Sequence, residues 1–214
     1  MASFPNRNGA AFQAATREGL ARGGLPGIRD VLDGYNRANP ANILGVLVLA
    51  RLLGAAQQAV SARELSGYCP AAPSGGHPQL QRLVAIADLG SDLAGAISGL
   101  ASSGVTGGDA IVPSLYRHLA NWPGYLSAAA EVLQPMFSSG EIEAMAARVR
   151  DDAHAEAEAL FVGLFDHEPP TFGNGTRTMV MNSLTTFAWR IPEMTVVGVL
   201  LRAALPSSNG SKQG

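Results

Sequence analysis

Apolar residues recur along this chain at the spacing of α-helices. Ile28, Val31, Leu32 and Tyr35, for example, follow the i, i+3, i+4, i+7 series that places side chains on one helical face. No stretch alternates apolar and polar residues with the period of two that half-buried strands show. Ala and Leu, which favour helices, are common throughout. The pattern therefore predicts an all-α fold.

Glycines and prolines divide this pattern into segments. Interruptions are predicted at Asn39-Pro40, Trp122-Pro123 and Pro192, and a capping box is predicted where Ser138 precedes Glu141 by three residues. The predicted helices cover residues 10–22, 26–38, 40–60, 79–90, 91–98, 113–120, 123–134, 141–164, 176–189 and 192–205. We expect one compact domain made of residues 1–64, a Pro- and Gly-rich linker at 65–78, residues 79–205 and a polar tail at 206–214.

Two parts of the chain are similar to each other. In one, Pro40 is followed by Gly45-Val-Leu, and in the other Pro192 is followed by Gly198-Val-Leu. Each part has a helix, a proline and then an apolar helix. This similarity predicts a pseudo-two-fold repeat in which the helices that follow the two prolines pack centrally.

Composition and charge exclude several classes of protein. The 214 residues are 47% hydrophobic and 15% charged, with a formal net charge of −2, and no cluster of basic residues predicts a nucleic-acid surface. The most apolar run, residues 43–50, is shorter than the roughly 20 residues that span a membrane. The N-terminus lacks the basic and apolar regions of a signal peptide. We expect a cytoplasmic protein with no nucleic-acid or membrane partner.

The densest group of chemically capable side chains lies in residues 113–125. Arg117 and Asn121 are four residues apart, as are His118 and Trp122, so each pair shares a helical face. With the neighbouring Tyr116, these side chains form a candidate substrate pocket in which Arg117 holds a carboxylate. The alternative, which the sequence by itself favours, is that Trp122 anchors the core and Arg117 forms a solvated ion pair.

A second candidate group lies in residues 35–40. Tyr35 is a possible ligand-binding residue, and Asn39 precedes a proline, which disfavours helical geometry at that position. The Asn39 amide is therefore expected either to point into a cavity and orient a water molecule or to cap the helix that Pro40 opens. The capping alternative is the more ordinary one.

Other reactive residues are weaker candidates. Cys69, the only cysteine, has His77 eight residues on, and an incidental loop position is favoured over a catalytic thiol. His154 with Glu158, and the run 166–168, have spacings that metal sites use, but a solvated surface is favoured for both. No phosphate loop or dinucleotide fingerprint is present, so we predict neither a metal nor a cofactor.

Two of these segments resemble the helical 2-haloacid dehalogenases of the DehI type. Residues 116–126, continuing to Pro135, are similar to the start of that family's C-terminal repeat, and residues 32–40 are similar to the end of its N-terminal repeat. The resemblance implies an all-α pseudo-dimer of two related repeats with the active site between them. Members hydrolyse 2-haloalkanoic acids by direct attack of water on the halogen-bearing carbon, with neither a metal nor a covalent intermediate.

The resemblance assigns roles to particular positions. The family's catalytic asparagine matches Asn39, whereas its water-activating aspartate falls on Leu115, which cannot accept a proton. Asp109 is a possible substitute six residues earlier. Three functions follow as hypotheses: a hydrolase of 2-substituted carboxylic acids with rearranged residues, a non-catalytic relative that binds a small carboxylic acid or apolar ligand, or a structural helical homodimer. We also expect a homo-oligomer.

Overall fold

A computed structural model describes residues 24–55, 80–102, 112–164 and 174–206. These residues form six α-helices and one short 3-10 helix at Ile86–Asp88, with no strand among them, so the predicted all-α class is confirmed. The α-helices are α1 (Leu25–Ala55), α2 (Ser91–Ser102), α3 (Ser114–Leu119), α4 (Pro123–Ser138), α5 (Glu141–Leu164) and α6 (Asn174–Ala204).

The longest helices, α1 and α6, pack against each other in opposite directions. Each has 31 residues, and their contacts pair rising residue numbers in α1 with falling numbers in α6. The pairs are Arg29 with the Pro206 carbonyl, Asp33 with Arg202, Asn36 with the Gly198 carbonyl, and the Leu53 carbonyl with Arg177. This register places Pro40 and Pro192 at about the same level of the packed pair.

The two predicted interruptions at Pro40 and Pro192 are wrong, because α1 and α6 each run through their proline. Asn39 is therefore inside a helix and does not cap one. A proline in a helix interior removes one N–H donor and crowds the carbonyl four residues earlier. The helix continues here because the apolar residues before and after each proline face the same partner helix. Helix α4 likewise extends past Pro135 to Ser138.

The described apolar side chains form two clusters. The main core draws on α1, α2, α3, α4, the start of α5 and the second half of α6, and its most deeply buried members include Leu32, Leu100 and Leu133. A smaller cluster lies at the other end of the bundle, where Ile43 and Leu47 of α1 meet Ala153 and Ala157 of α5. The α1–α6 pair connects the two clusters.

The predicted helix over residues 79–90 is also wrong for its described part. Residues 80–85 have no regular structure and lead into the 3-10 helix and then α2. Two carbonyl groups of this segment are bound instead by Arg117 of α3 and by Asn121 in the turn that follows α3. The capping box is not formed either: Ser138 is the last residue of α4, and Gly140, with φ of 78°, precedes α5.

Several predictions fall outside the described residues. They are the helix at 10–22, the linker with Cys69 and His77, Asp109, the run 166–168 and the polar tail. Within the described part, residues Gly175–Ala204 are long and apolar enough to cross a membrane, with a mean hydropathy of 1.2, and half of the apolar window is buried inside the protein. Core helices of soluble proteins pass the same test, so this feature is weak support for a membrane location.

Candidate functional site

Helix α3, at the centre of the candidate site, is a core helix. Pro113 precedes it with φ of −58° and favours a helix start, and four of its six residues are buried. Leu115 and Tyr116 have no exposed surface at all. The position that the resemblance assigns to a water-activating acid is therefore occupied by a leucine packed in the main core.

The polar side chains that follow Leu115 bind the backbone of the segment before α2. Arg117 donates from Nε to the Val84 carbonyl at 3.0 Å, and the Val84 N–H donates to the Arg117 carbonyl at 3.2 Å. Asn121 donates from Nδ2 to the Arg82 carbonyl at 3.1 Å. These bonds satisfy the carbonyls of residues 82 and 84 and the Val84 N–H without regular secondary structure.

His118 connects this segment to α1. Its Nδ1 lies 2.8 Å from the Tyr35 hydroxyl, and the two rings meet edge to face with centroids 5.6 Å apart. Burial lowers the pKa of His118, a bond to the Gln81 backbone opposes that shift, and the charge of Arg117 adds to it. Burial also raises the pKa of Tyr35 to about 12, against opposing effects of Ser114 and Arg117. The Tyr35 hydroxyl therefore keeps its proton and donates a hydrogen bond to Nδ1 of a neutral imidazole.

Trp122 packs over the beginning of α1. A Cβ atom at Gly24 would lie 2.6 Å from Trp122 Cδ1, and one at Gly27 would lie 2.5 Å from Cζ2. Both distances are shorter than any normal carbon contact, so the indole ring needs the two glycines. Trp122 therefore joins α1 to the turn between α3 and α4.

Asn39 is buried, with 5% of its surface exposed, and its Nδ2 has no hydrogen-bond partner. One turn earlier, Asn36 donates from Nδ2 to the Gly198 carbonyl at 3.2 Å, while its buried Oδ1 has no partner. Unpaired polar atoms are rare in protein interiors and call for a water molecule or a ligand. The structure thus brings Tyr35, Arg117 and His118 together. Asn39 lies one turn after Tyr35 on α1, and its Nδ2 makes no hydrogen bond to that group.

The sequence pattern did not predict one polar cluster, which lies on α6. Arg190 and Glu193, both nearly buried, form an ion pair with Nη1 at 3.0 and 3.1 Å from the two carboxylate oxygens. Arg190 also donates to the Ala101 carbonyl at the end of α2, where carbonyls lack helical donors. A sequence feature could have indicated this cluster, because Arg190 and Glu193 are the only charged residues of α6 between Arg177 and Arg202.

Burial raises the pKa of Glu193 to about 7, with Arg190 opposing the shift and Glu143 adding to it. The nearby Tyr116 hydroxyl is buried without a hydrogen-bond partner, and burial with the charge of Glu193 raises its pKa above the usual range. A carboxyl group that titrates near neutrality is suited to proton transfer. Tyr116 thus faces this cluster and not Tyr35.

The weaker metal candidate on α5 is solvent-exposed. His154 is exposed, and Glu158 pairs with Arg51 at 3.1 Å with about half of each side chain in solvent. Within the described ranges, no three metal-binding side chains come together.

The sequence matches no protein-family model and no curated protein. The resemblance to the DehI-type dehalogenases therefore depends on the short motifs at residues 32–40 and 116–135 alone.

Proposed function

We propose that this protein is a non-catalytic, DehI-like helical protein that binds a small carboxylic acid at Arg117. The observation that carries the proposal is the environment of the guanidinium group. Arg117 is partly buried, its Nε is fixed by the Val84 carbonyl, and no carboxylate pairs with it in the described part of the chain. Buried charges in proteins are usually paired, so an external anion is the expected partner.

The geometry favours a planar monoanion. With Nε engaged, the two terminal nitrogens of Arg117 present the forked pair of donors that matches a carboxylate. The adjacent Tyr35 and His118 add no charge, because the phenol keeps its proton and burial disfavours the imidazolium. A single guanidinium in otherwise neutral surroundings is suited to one negative charge and not to the two charges of a phosphate.

Two observations support the proposed absence of a catalytic role. Leu115 is fully buried, and its side chain offers no proton acceptor at the position that the resemblance gives to the family's aspartate. His118 is engaged by Tyr35 at Nδ1 and by the Gln81 backbone, so it is not free to act as a base. The DehI-like pseudo-repeat is part of the same proposal, supported by the antiparallel packing of α1 and α6.

Calorimetric titration with propionate and with both enantiomers of 2-chloropropionate tests the proposal. We expect binding without halide release. Arg117→Gln should weaken binding by about tenfold or more, the equivalent of one charge-assisted hydrogen bond or two. Arg82→Gln is the matched control, because Arg82 is exposed and carries the same charge, and it should bind as the unmodified protein does. Equal binding by both variants would contradict the assignment to Arg117.

A second candidate, hydrolysis of 2-substituted acids, is favoured by Glu193, whose raised pKa suits a general base. Halide release that is present in the parent and lost in Glu193→Gln would support this second function over the first. Retained ligand binding in Glu193→Gln would show that the variant still folds. Release that survives in Glu193→Gln would exclude Glu193 as the base.

A further inference from the structure

His118 is the inner end of a chain of hydrogen bonds that begins at the protein surface. The side chain of Ser114, an exposed residue, is hydrogen-bonded to the Tyr35 hydroxyl. That hydroxyl lies 2.8 Å from Nδ1 of His118, and a further hydrogen bond joins the imidazole to the Gln81 backbone. Only 9% of the His118 surface is exposed. The two hydroxyl groups therefore connect a nearly buried imidazole to solvent.

Each hydrogen bond of this chain can reverse its direction, because serine and tyrosine hydroxyls both donate and accept. While the imidazole is neutral, Ser114 donates to the Tyr35 oxygen, and the Tyr35 hydroxyl donates to Nδ1. When Nδ1 carries a proton, the imidazole donates to the Tyr35 oxygen, and the Tyr35 hydroxyl donates to Ser114. His118 can therefore gain a proton without leaving a buried donor or acceptor unpaired, which would otherwise oppose the protonation.

Arg117 is the cation that opposes a proton on His118. Burial lowers the pKa of His118, the bond to the Gln81 backbone opposes that shift, and the charge of Arg117 adds to it. The other groups that face the imidazole are neutral, because Tyr35 of α1 keeps its proton and the segment before α2 contributes a backbone group. Arg82, the charged residue of that segment, is exposed. An anion bound to Arg117 would cancel this repulsion and favour a proton on His118.

We propose that the Arg117 site takes up a carboxylate together with one proton, which binds at Nδ1 of His118. The inference rests on the proposed binding of a carboxylic acid at Arg117. The proton enters from solvent at Ser114, and each hydroxyl passes its own proton inward, so only His118 gains one. By linkage, the bound anion raises the pKa of His118, and the imidazolium strengthens anion binding by the same factor. Affinity for the carboxylate is therefore lowest at high pH and rises as the pH falls through the pKa of His118 in the complex.

Calorimetric titration of the full chain with 2-chloropropionate, which stays ionised over the pH range used, tests the proposal. From about pH 8 to about pH 5.5, we expect the dissociation constant to fall by about tenfold. Near the middle of that range, titrations in buffers of different ionisation enthalpy should show proton uptake on binding. His118→Gln, whose amide does not titrate, should bind equally at both pH values and take up no proton. His154→Gln is the matched control, because His154 is exposed on α5, and it should behave as the unmodified protein does.

NMR titration of the unmodified protein gives a second test that needs no variant. The His118 ring signals are identified by their proximity to the Tyr35 ring, and saturating 2-chloropropionate should raise the pKa of His118 by about 1, the same tenfold factor.

Three results would overturn the inference. Equal dissociation constants at both pH values, with no proton uptake, would overturn it and leave carboxylate binding at Arg117 intact. Proton uptake that persists in His118→Gln, or a pKa of His118 that the ligand does not change, would assign the proton to another group. An unmodified protein that binds no carboxylate at either pH would overturn the proposed function and this inference with it.

Discussion

The hydroxyl of Tyr35 lies 2.8 Å from Nδ1 of His118, and this bond joins α1 to α3 across 83 positions of sequence. Arg117 and Asn121, on either side of His118, hold the backbone of residues 82 and 84 by further hydrogen bonds. The Tyr35–His118 bond is therefore one of several polar contacts that hold α1, α3 and the segment at residues 82–84 together around the candidate ligand site.

Removal of the Tyr35 hydroxyl should destabilise the protein. In Tyr35→Phe the His118 ring loses its donor, and we expect the free energy of unfolding to fall by about 1 kcal/mol. Tyr116→Phe is a matched control, because the Tyr116 hydroxyl is buried without a partner and its removal should be neutral or stabilising. Urea denaturation of both variants gives the comparison. A larger loss in Tyr116→Phe than in Tyr35→Phe would contradict the described contacts.

Stability should depend on pH through Glu193. Its pKa is raised from 4.5 to about 7 in the folded protein, so the folded state holds the proton more tightly. The resulting stabilisation is fully present below pH 4.5 and is lost as the pH rises through about 7, with an upper limit of about 3 kcal/mol. Glu193→Gln should abolish this dependence, as measured by urea denaturation between pH 4 and 8 at roughly half-unit steps.

The titration of His118 should change the stability of the protein with pH in the opposite direction. Burial lowers its pKa below 6.5, so its contribution to stability is present above that value and is lost as the pH falls below it. In the Glu193→Gln background, where the larger effect is removed, stability should therefore rise with pH between about 5 and 7. A flat profile in that background would contradict the lowered pKa of His118.

Removing one partner of the Arg190–Glu193 pair should lower the free energy of unfolding more than replacing both partners with apolar residues. Arg190→Met leaves a buried carboxyl without its partner, and we expect a loss of about 3–5 kcal/mol at pH 8, where Glu193 is ionised. The double variant Arg190→Met/Glu193→Leu should lose less than Arg190→Met alone, because the uncompensated charge is gone. A double-mutant cycle by urea denaturation measures the difference. Additive losses would show that the two side chains are not coupled.

Substitution by alanine at two glycines of α1 should change the stability of the protein in opposite directions. At Gly27 the added Cβ would lie 2.5 Å from Trp122, so Gly27→Ala should destabilise the protein and shift the tryptophan fluorescence. At Gly45 nothing lies within 4 Å, and Gly45→Ala should stabilise the helix by about 0.5–1 kcal/mol. Thermal unfolding monitored by fluorescence distinguishes the two. Stabilisation by Gly27→Ala would mean that Trp122 packs elsewhere.

The amino-acid pattern by itself determined the fold class and several helices. Residues 141–164 were predicted as one helix and form α5, and residues 113–120 were predicted as a helix that the structure has at Ser114–Leu119. These predictions depend on local periodicity and on punctuation by proline and glycine, which act within a few residues. The grouping of Arg117, His118 and Asn121 as one polar region was likewise visible in the sequence.

Only the tertiary structure decided what those side chains contact. Asn39-Pro40 and Pro192 have the local features of helix breaks, yet packing of α1 on α6 continues both helices. Residues 80–85 stay irregular, and Arg117 of α3 and Asn121 after it bind the Val84 and Arg82 carbonyls there. Arg190 and Glu193 are one turn apart on one helix, but their surroundings include α2, α3 and α5, which come from elsewhere in the chain. Contacts between residues distant in sequence outweigh local preference in each case, and no local pattern encodes them.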